Sequence, residues 1–498
     1  MSSYFRRFAE KFWQNVIVLV ILIVAIVFIC ISVTKHEIWL DEAQHFLLAK
    51  NSRTYSDLLD NMRYESHPPL WNFLLKSLNI ATINQLKLLH LAIAALVLFT
   101  VALLAPFSKL VKSGLIFSYF FSYEYSVISR NYGLSILFIL LATSVYTYKS
   151  RHLILIALLL GLSALTHIYA GVIGAILFTY IILIQKNNKY TFAQIIPATA
   201  LLTFFGLFAI WTAWPQHDHF LYHYHSSSLV SIERLSSSIS LPFKVFFHFP
   251  DVFSYNWWNT NLFFPESNVS RGIVALTAWS LPLLYFVHKR KILLVYFLGA
   301  VSLTLLLAVT PMPLSLRHGG FFLLLFICCL WIDKSENKAI SIKPKFSQIK
   351  TILATLFFII QIAGTIITYH NEWNKPFSNS KAIAEYFLKK DIKGNQICVY
   401  PHYSGPAVSA YMNDSIYYAE RNNYGSFTHW GINNFEIPDE LMLERCAARQ
   451  QQSNKPMYIV ASKVPDISHS KYKLVQVIRF NGACVQAENY TIYTLTEK

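Results

Sequence analysis

The stretch from Val16 to Val33 is almost wholly apolar and long enough to cross a bilayer core as a helix. Similar runs recur to about residue 369, separated for the most part by short polar segments that carry Lys or Arg. A water-soluble core cannot absorb so much apolar sequence. Of 498 residues, 54% are hydrophobic and only 14% are charged. The chain therefore reads as a polytopic all-α membrane domain over residues 1–370, with about 11 transmembrane helices. The runs fall at about 14–34, 86–106, 114–128, 131–148, 153–166, 169–184, 193–214, 272–287, 292–310, 319–332 and 351–369. Val16–Val33 has no small-x-small cleavage site and is expected to be retained as a span rather than removed as a signal peptide.

A net charge of +16 in a soluble chain would suggest nucleic acid. Here much of it lies in short loops, where it sets topology, and no nucleic-acid partner is expected. Arg6, Arg7 and Lys11 put the N-terminus in the cytoplasm. An odd number of spans then puts the C-terminus outside, and the long loops 35–85 and 215–270 are extracytoplasmic. Residual positive charge suits anionic membrane lipids.

Residues 371–498 differ in composition and read as a soluble extracytoplasmic α/β domain. SKAIAEYFLKK and DELMLERCAARQQQ have helical spacing, and QICVYPH, SIYYAE and PMYIVAS read as strands. The final KLVQVIRF and YTIYTL read as a hairpin-like pair. Cys398, Cys446 and Cys484 in this domain allow one disulfide with a thiol left over, and Cys446–Cys484 is the pairing expected.

The first outer loop carries the acidic pair Asp41-Glu42 at the membrane boundary, where charge is costly and calls for a reason. One reading is a general base or an acceptor-orienting carboxylate. The other is a helix start, where the dipole favours acids. His67-Pro68-Pro69 forces an extended backbone that could return the loop toward Asp41, or be merely a stiff lead into a helix. Arg130 and Tyr132 in SRNYGL, and Arg317 and His318 in PLSLRHGG, lie at outer span ends. An Arg there can grip a phosphate through its forked donors or simply snorkel to the interface. His167 sits at another span end, where packing is the plainer explanation. His217, His219, His223 and His225 have a spacing that permits a transition metal, although an interfacial His-rich loop explains them as simply.

Taken together, WLDEAQHFLLA, HPPLWNFLL, SRNYGL, LGLSALTHIYA and SLRHGGFFLLLF, in that order and followed by a soluble tail, resemble the GT-C glycosyltransferases. The likeness is to the family 39-like group, which includes dolichyl-phosphate-mannose-protein mannosyltransferases, the lipid A aminoarabinose transferase and rhizobial lipopolysaccharide sugar transferases. It covers most of residues 1–370. The resemblance implies a polyprenyl-phosphate sugar donor used outside the cytoplasm on a cell-envelope acceptor: lipid A or lipopolysaccharide, polysaccharide, or protein. It implies Asp41 as catalytic base, Glu42 as its partner, and Arg130, Tyr132, Arg317 and His318 around the donor phosphate. His67, Pro68, Pro69 and His167 would shape the acceptor side. The chain departs from the group in having Ile128 where relatives often carry Glu, with Glu124 a turn further away, and His318 where they often carry Tyr.

The function expected is inverting sugar transfer, with no certain cofactor and a divalent metal left open. The alternatives are a lipid or lipid-linked-sugar flippase, which would bury charges mid-span, and a non-catalytic scaffold, in which Asp41 would be dispensable. Short loops and no retrieval signal point to a bacterial inner membrane.

Overall fold

The computed structural model describes residues 2–148, 152–184, 190–219, 231–254, 257–265, 267–310, 314–336, 344–431, 437–468 and 470–497. The first apolar run lies within helix α1 (Ser2–Lys35). The chain then turns into three short helices of the first outer loop and the next long helix. These are α2 (Leu40–Asn51), α3 (Tyr55–Met62), α4 (Leu70–Ser77) and α5 (Ile83–Phe99). Their starts are written in the sequence. Thr54 and Asp57 cap each other reciprocally at 3.0 Å, and Thr82 and Gln85 do the same at the head of α5. Pro69 is the N-cap of α4, so the Pro-Pro pair is a helix lead-in.

Next come α6 (Lys109–Ile116), α7 (Tyr132–Tyr148), α8 (Leu153–Thr166), α9 (Ile168–Thr179), α10 (Phe192–Ala213), α11 (Ile232–Phe246) and α12 (Asn268–Phe286). α13 (Arg290–Val309), α14 (Leu316–Glu336) and α15 (Pro344–Asn374) complete the helical part. The protein is mostly helical, and among the described residues 7 helices are long and apolar enough to cross a membrane: Val16–Lys35, Ile83–Leu104, Phe192–Ala213, Val269–Phe286, Arg290–Val309, Leu316–Glu336 and Gln348–Asn374. Tyr132–Tyr148, Leu153–Thr166 and Ile168–Leu183 are apolar but shorter. The run expected as a span at 114–128 is not one helix. α6 stops at Ile116, and the chain resumes as a π turn over Phe120–Glu124. The Ser118 and Ser122 hydroxyls bond back to the Leu115 and Ser118 carbonyls there, giving the backbone local alternatives to a regular helix.

Helix ends distant in sequence meet at one face. Lys35 Nζ donates to the Trp373 carbonyl, Tyr132 packs on His167 with ring centroids 4.7 Å apart, and His167 lies 6.1 Å from His318. α14 is the innermost of the long helices. Gly319 lies against Leu241 and Val245, and Gly320 against Tyr125 and Phe120, with no room for a methyl group at either position.

The second domain is a mixed sheet between helices. Its strands are β1 (Ile397–Tyr400), β2 (Ile416–Tyr418), β3 (Asn423–Gly425), β4 (Tyr458–Ala461), β5 (Tyr472–Phe480) and β6 (Tyr490–Glu497), in the order β3-β2-β1-β4-β6-β5. β1 runs parallel to β2 and β4, while the β5–β6 hairpin is antiparallel. Both faces of the central strands are covered, so those strands are continuously apolar rather than alternating. Ile397 and Val399 pack against α16 (Ser380–Lys389) and α17 (Gly405–Met412). Cys398 and Ile459 pack against Met442, Leu443 and Cys446 of α18 (Asp439–Ser453). The expected Cys446–Cys484 disulfide is not formed. Cys446 packs beside Cys398 in this domain's core, Cys484 belongs to the core of the helical domain, and all six cysteines are free.

The domain is seated on the first outer loop. Gln44 exchanges two hydrogen bonds with the Thr428 backbone, at 2.7 and 2.9 Å. The Leu40 and Ile38 amides donate to Glu488 Oε1 and Tyr411 Oη, at 2.5 and 2.8 Å.

Substituting Gly320→Ala places a methyl group on Tyr125 and Phe120. It is expected to cost about 1–3 kcal/mol, read as a lower unfolding midpoint in detergent. Gly206→Ala, with nothing within 4 Å, serves as the control and should match or exceed the parent.

Candidate functional site

The site is built at the start of α2. Asp41 occupies the first turn of that helix, where the dipole favours a carboxylate. Its Oδ2 lies 2.7 Å from Arg317 Nη1 and 3.4 Å from Arg130 Nη1. Arg130 also donates to the Asp41 carbonyl at 2.8 Å. Three residues from the first outer loop, the turn before α7 and the head of α14 thus close on one point.

Asp41 and Glu42 part company here. The Asp41 side chain is 25% exposed, whereas that of Glu42 is 0% exposed, so only Asp41 can meet a substrate. The sequence expectation of Glu42 as a partner beside Asp41 is corrected, because its carboxylate points into the protein. Oε1 accepts from the Ser129 amide at 2.5 Å, and Oε2 accepts from His36 Nε2 at 2.8 Å and from the Trp39 amide at 3.3 Å. The other nitrogen of His36 lies 2.8 Å from Glu372 Oε1, and Glu372 Oε2 accepts from the Tyr123 hydroxyl at 2.6 Å. Glu42 is a positioning residue: it ties α2 to the turn that carries Arg130 and, through His36, to the end of α15.

Arg317 packs beside an edge-to-face pair of indoles, Trp39 and Trp258, whose centroids are 5.1 Å apart, with its guanidinium carbon 5.3 Å from the first ring and 5.7 Å from the second. Trp258 Nε1 donates to Glu124 at 3.0 Å, and the Tyr119 hydroxyl donates to the same oxygen at 2.6 Å. Glu124 therefore stands behind the site as a support for Trp258.

The histidines form the adjoining wall. His67 Nδ1–H donates to the Glu65 carbonyl at 2.5 Å, which leaves Nε2 as the acceptor facing Arg130 Nη2 at 3.4 Å. His45 is one helical turn beyond Asp41. Its Nδ1–H donates to Asn72 Oδ1 at 2.8 Å, while Asn72 returns a bond to the His45 carbonyl. Pro68 and Pro69 are buried at the head of α4, whose Asn72 thus fixes His45. Tyr132, His167, His318 and Phe321 pack into one aromatic cluster beside Arg317.

The charge balance is positive. Burial works against ionised Asp41, but Arg317 and Arg130 outweigh it and hold the carboxyl well below its usual range. Burial, reinforced by Arg130, keeps His67 neutral, with a pKa lowered to about 4, and it lowers His45 in the same way. Burial pushes Glu65 up to about 8 despite a bond from Gln44, so at neutral pH it is largely uncharged. Two guanidiniums facing one exposed carboxylate, with neutral neighbours, make a mouth suited to an anion.

His45, Glu65, His36 and the Trp39–Trp258 pair were missing from the sequence reading. Only His45 left a signal there, its i+4 spacing from Asp41. His219 lies away from the ion cluster, its Nε2–H donating to the Tyr64 carbonyl at 2.8 Å, and Asp218 accepts from the Tyr64 hydroxyl at 2.7 Å. His217 is beside them in sequence, and His223 and His225 lie outside the described residues. Among the described residues, no group of three His, Cys, Asp or Glu is arranged to hold a metal ion. Compared with models of known protein families and with curated proteins, the chain matches none.

The His36 network makes stability depend on pH. Burial opposes the His36 charge, but Glu42 and Glu372 raise its pKa from 6.5 to about 10. A raised pKa stabilises fully below 6.5 and loses that contribution as pH climbs toward 10, by at most about 1.4 kcal/mol per pH unit. Unfolding midpoints in detergent should therefore fall from pH 6.5 to pH 10, and His36→Gln should flatten that slope. An equal slope in both proteins would remove His36 from the role.

Proposed function

We propose that the chain is an inverting glycosyltransferase of the GT-C kind. It moves a sugar from a polyprenyl-phosphate donor to a hydroxyl of a cell-envelope acceptor at the outer face of a bacterial inner membrane. In this reading the three shorter apolar helices and the broken α6 segment join the seven long helices to make eleven crossings. That leaves the N-terminus in the cytoplasm and the sheet domain outside.

The observation that carries the reading is the convergence of exposed Asp41 with Arg130 and Arg317 at helix ends, from positions far apart in the chain. A flippase would bury such charges at mid-depth. The sequence resemblance supports the sugar and the lipid carrier, and a carboxylate beside two guanidiniums supports a base next to a phosphate.

The chemistry follows from this pairing. The acceptor oxygen attacks the anomeric carbon as its proton passes to Asp41. The bond from that carbon to the phosphate oxygen breaks on the opposite face, and the electron pair leaves with the phosphate. Arg317 and Arg130 stabilise the charge that develops there. While both guanidiniums hold Asp41 it is a poor base, because they favour its ionised form. A donor phosphate that takes them over restores the basicity of Asp41, so donor binding and base activation are coupled. Neutral His67 lines the approach of the acceptor, with His45 buried behind it.

The test uses purified parent and Asp41→Asn proteins with radiolabelled polyprenyl-phosphate sugars and an envelope extract. Asp41→Asn should lower release of free polyprenyl phosphate by at least about 100-fold while eluting as the parent does. Equal turnover would remove Asp41 as base.

A further inference from the structure

A second cationic cleft opens next to this site. It holds ≈ 360 Å³ and is lined by residues that include Arg234, Ser237 and Lys244 of α11, Arg271 of α12, Phe264 and Leu314. Arg234, Ser237, Leu241 and Lys244 follow helical spacing, so they form one stripe along α11. Arg271 reaches across from α12 to bond Ser237 Oγ and the Pro265 carbonyl, each at 3.2 Å. Lys244 Nζ and the Arg271 guanidinium lie over the same Phe264 ring, at 4.2 and 5.6 Å. Two cations thus share one aromatic face, and neither Lys244 nor Arg271 has a carboxylate partner among the described residues. All three basic side chains are half-buried, so solvent does little to screen them. Glu233 and Arg234 add one charge of each sign at the mouth, so Lys244 and Arg271 leave the cleft with two positive charges.

Such a cleft is matched by a dianion with an apolar tail. The charge calls for two negative units, as in a phosphate monoester. The surroundings call for a lipid: Val269, Ile273 and Leu276, on the span that begins beside Arg271, are exposed apolar residues facing outward. The cleft also touches the reaction site. Leu314 lines it, and Arg317, three residues on, holds Asp41. Gly319, on the same helical turn, packs directly on Leu241 and Val245 of α11.

We propose that Arg234, Lys244 and Arg271 form a binding site for the phosphate monoester of a polyprenyl lipid, separate from the Asp41 site and joined to it through the segment from Leu314 to Arg317. Sugar transfer from a polyprenyl-phosphate donor turns a phosphate diester into this monoester. The cleft is then the station to which the spent carrier passes, and that assignment of its ligand rests on the glycosyltransferase reading. The monoester gains a charge relative to the donor, so the more cationic cleft draws it away from Arg317.

The experiment measures binding to the full chain in detergent, without turnover, by native mass spectrometry and by thermal shift. The probes are farnesyl phosphate, farnesol, phosphatidylglycerol and inorganic phosphate. Farnesyl phosphate should bind best, and Lys244→Gln should weaken it about tenfold. Lys244→Gln removes the contact over Phe264 but leaves no hydrogen-bond partner of Nζ unpaired among the described residues, and an unchanged unfolding midpoint shows that the fold is kept. The triple Arg234→Gln, Lys244→Gln, Arg271→Gln protein should lose the tighter of two binding events and keep only the weaker one at Arg130 and Arg317, and Asp41→Asn, which frees those two guanidiniums, should keep or strengthen binding. Four outcomes overturn the proposal: unchanged affinity in Lys244→Gln, equal binding of farnesol, equal binding of phosphatidylglycerol, or inorganic phosphate binding as tightly as the lipid. Failure here leaves the Asp41 turnover test untouched, and failure of that test leaves a measured lipid site.

Discussion

The structure depends on a carboxylate that no substrate can reach. Both oxygens of Glu42 are engaged by His36 and by the backbone amides of Ser129 and Trp39. Buried charge is tolerable only when each lone pair is met, and here the partners come from the end of the first span, the turn before α7 and, through Glu372, the end of the last span. The bond to Ser129 sets the position of Arg130, the next residue. Asp41 is adjacent on α2 and points the other way, so fixing one carboxylate aims the other. In an acidic pair at a membrane edge, one member stabilises the mouth and the other is left to act in it.

The second domain adds to the same constraint. Glu488, in the turn before β6, accepts from the Leu40 amide at the head of α2, and Gln44 is clasped by the Thr428 backbone. The helix that carries Asp41 is therefore held from both sides, by the span ends below and by the sheet domain above. The proposed base, poised between two guanidiniums, needs such rigidity, since its action turns on ångström-scale exchange of partners.

Much of this was legible in the sequence, and the reasons differ by element. Long apolar runs announce themselves by length, and the strands and helices of the tail by period. α17 was not foreseen because Gly405-Pro406 reads as a break, although Pro suits the first turn of a helix. The run near residue 120 looks like a short span, yet its serines and crowded aromatics break it. Asp41, Arg130, Arg317, His67, His167, Tyr132 and His318 were named from the chain, and the fold gathers them. The orientation of Glu42 was not legible, because adjacent helical residues differ by about 100° in direction and only the packing says which faces inward. The Trp39–Trp258 pair beside Arg317 joins residues with no sequence relation at all.

The central claim is that the donor phosphate and Asp41 compete for the same guanidiniums. The most direct measurement is a cryo-electron microscopy structure of the full chain in lipid nanodiscs with a non-cleavable prenyl C-glycosyl phosphonate. The account expects the phosphonate oxygens within hydrogen-bonding distance of Arg317 and Arg130, with the Asp41–Arg317 contact of 2.7 Å opened and Asp41 facing the sugar. A phosphonate bound elsewhere with that ion pair intact would contradict it, and Asp41 would then be a structural acid at a helix start.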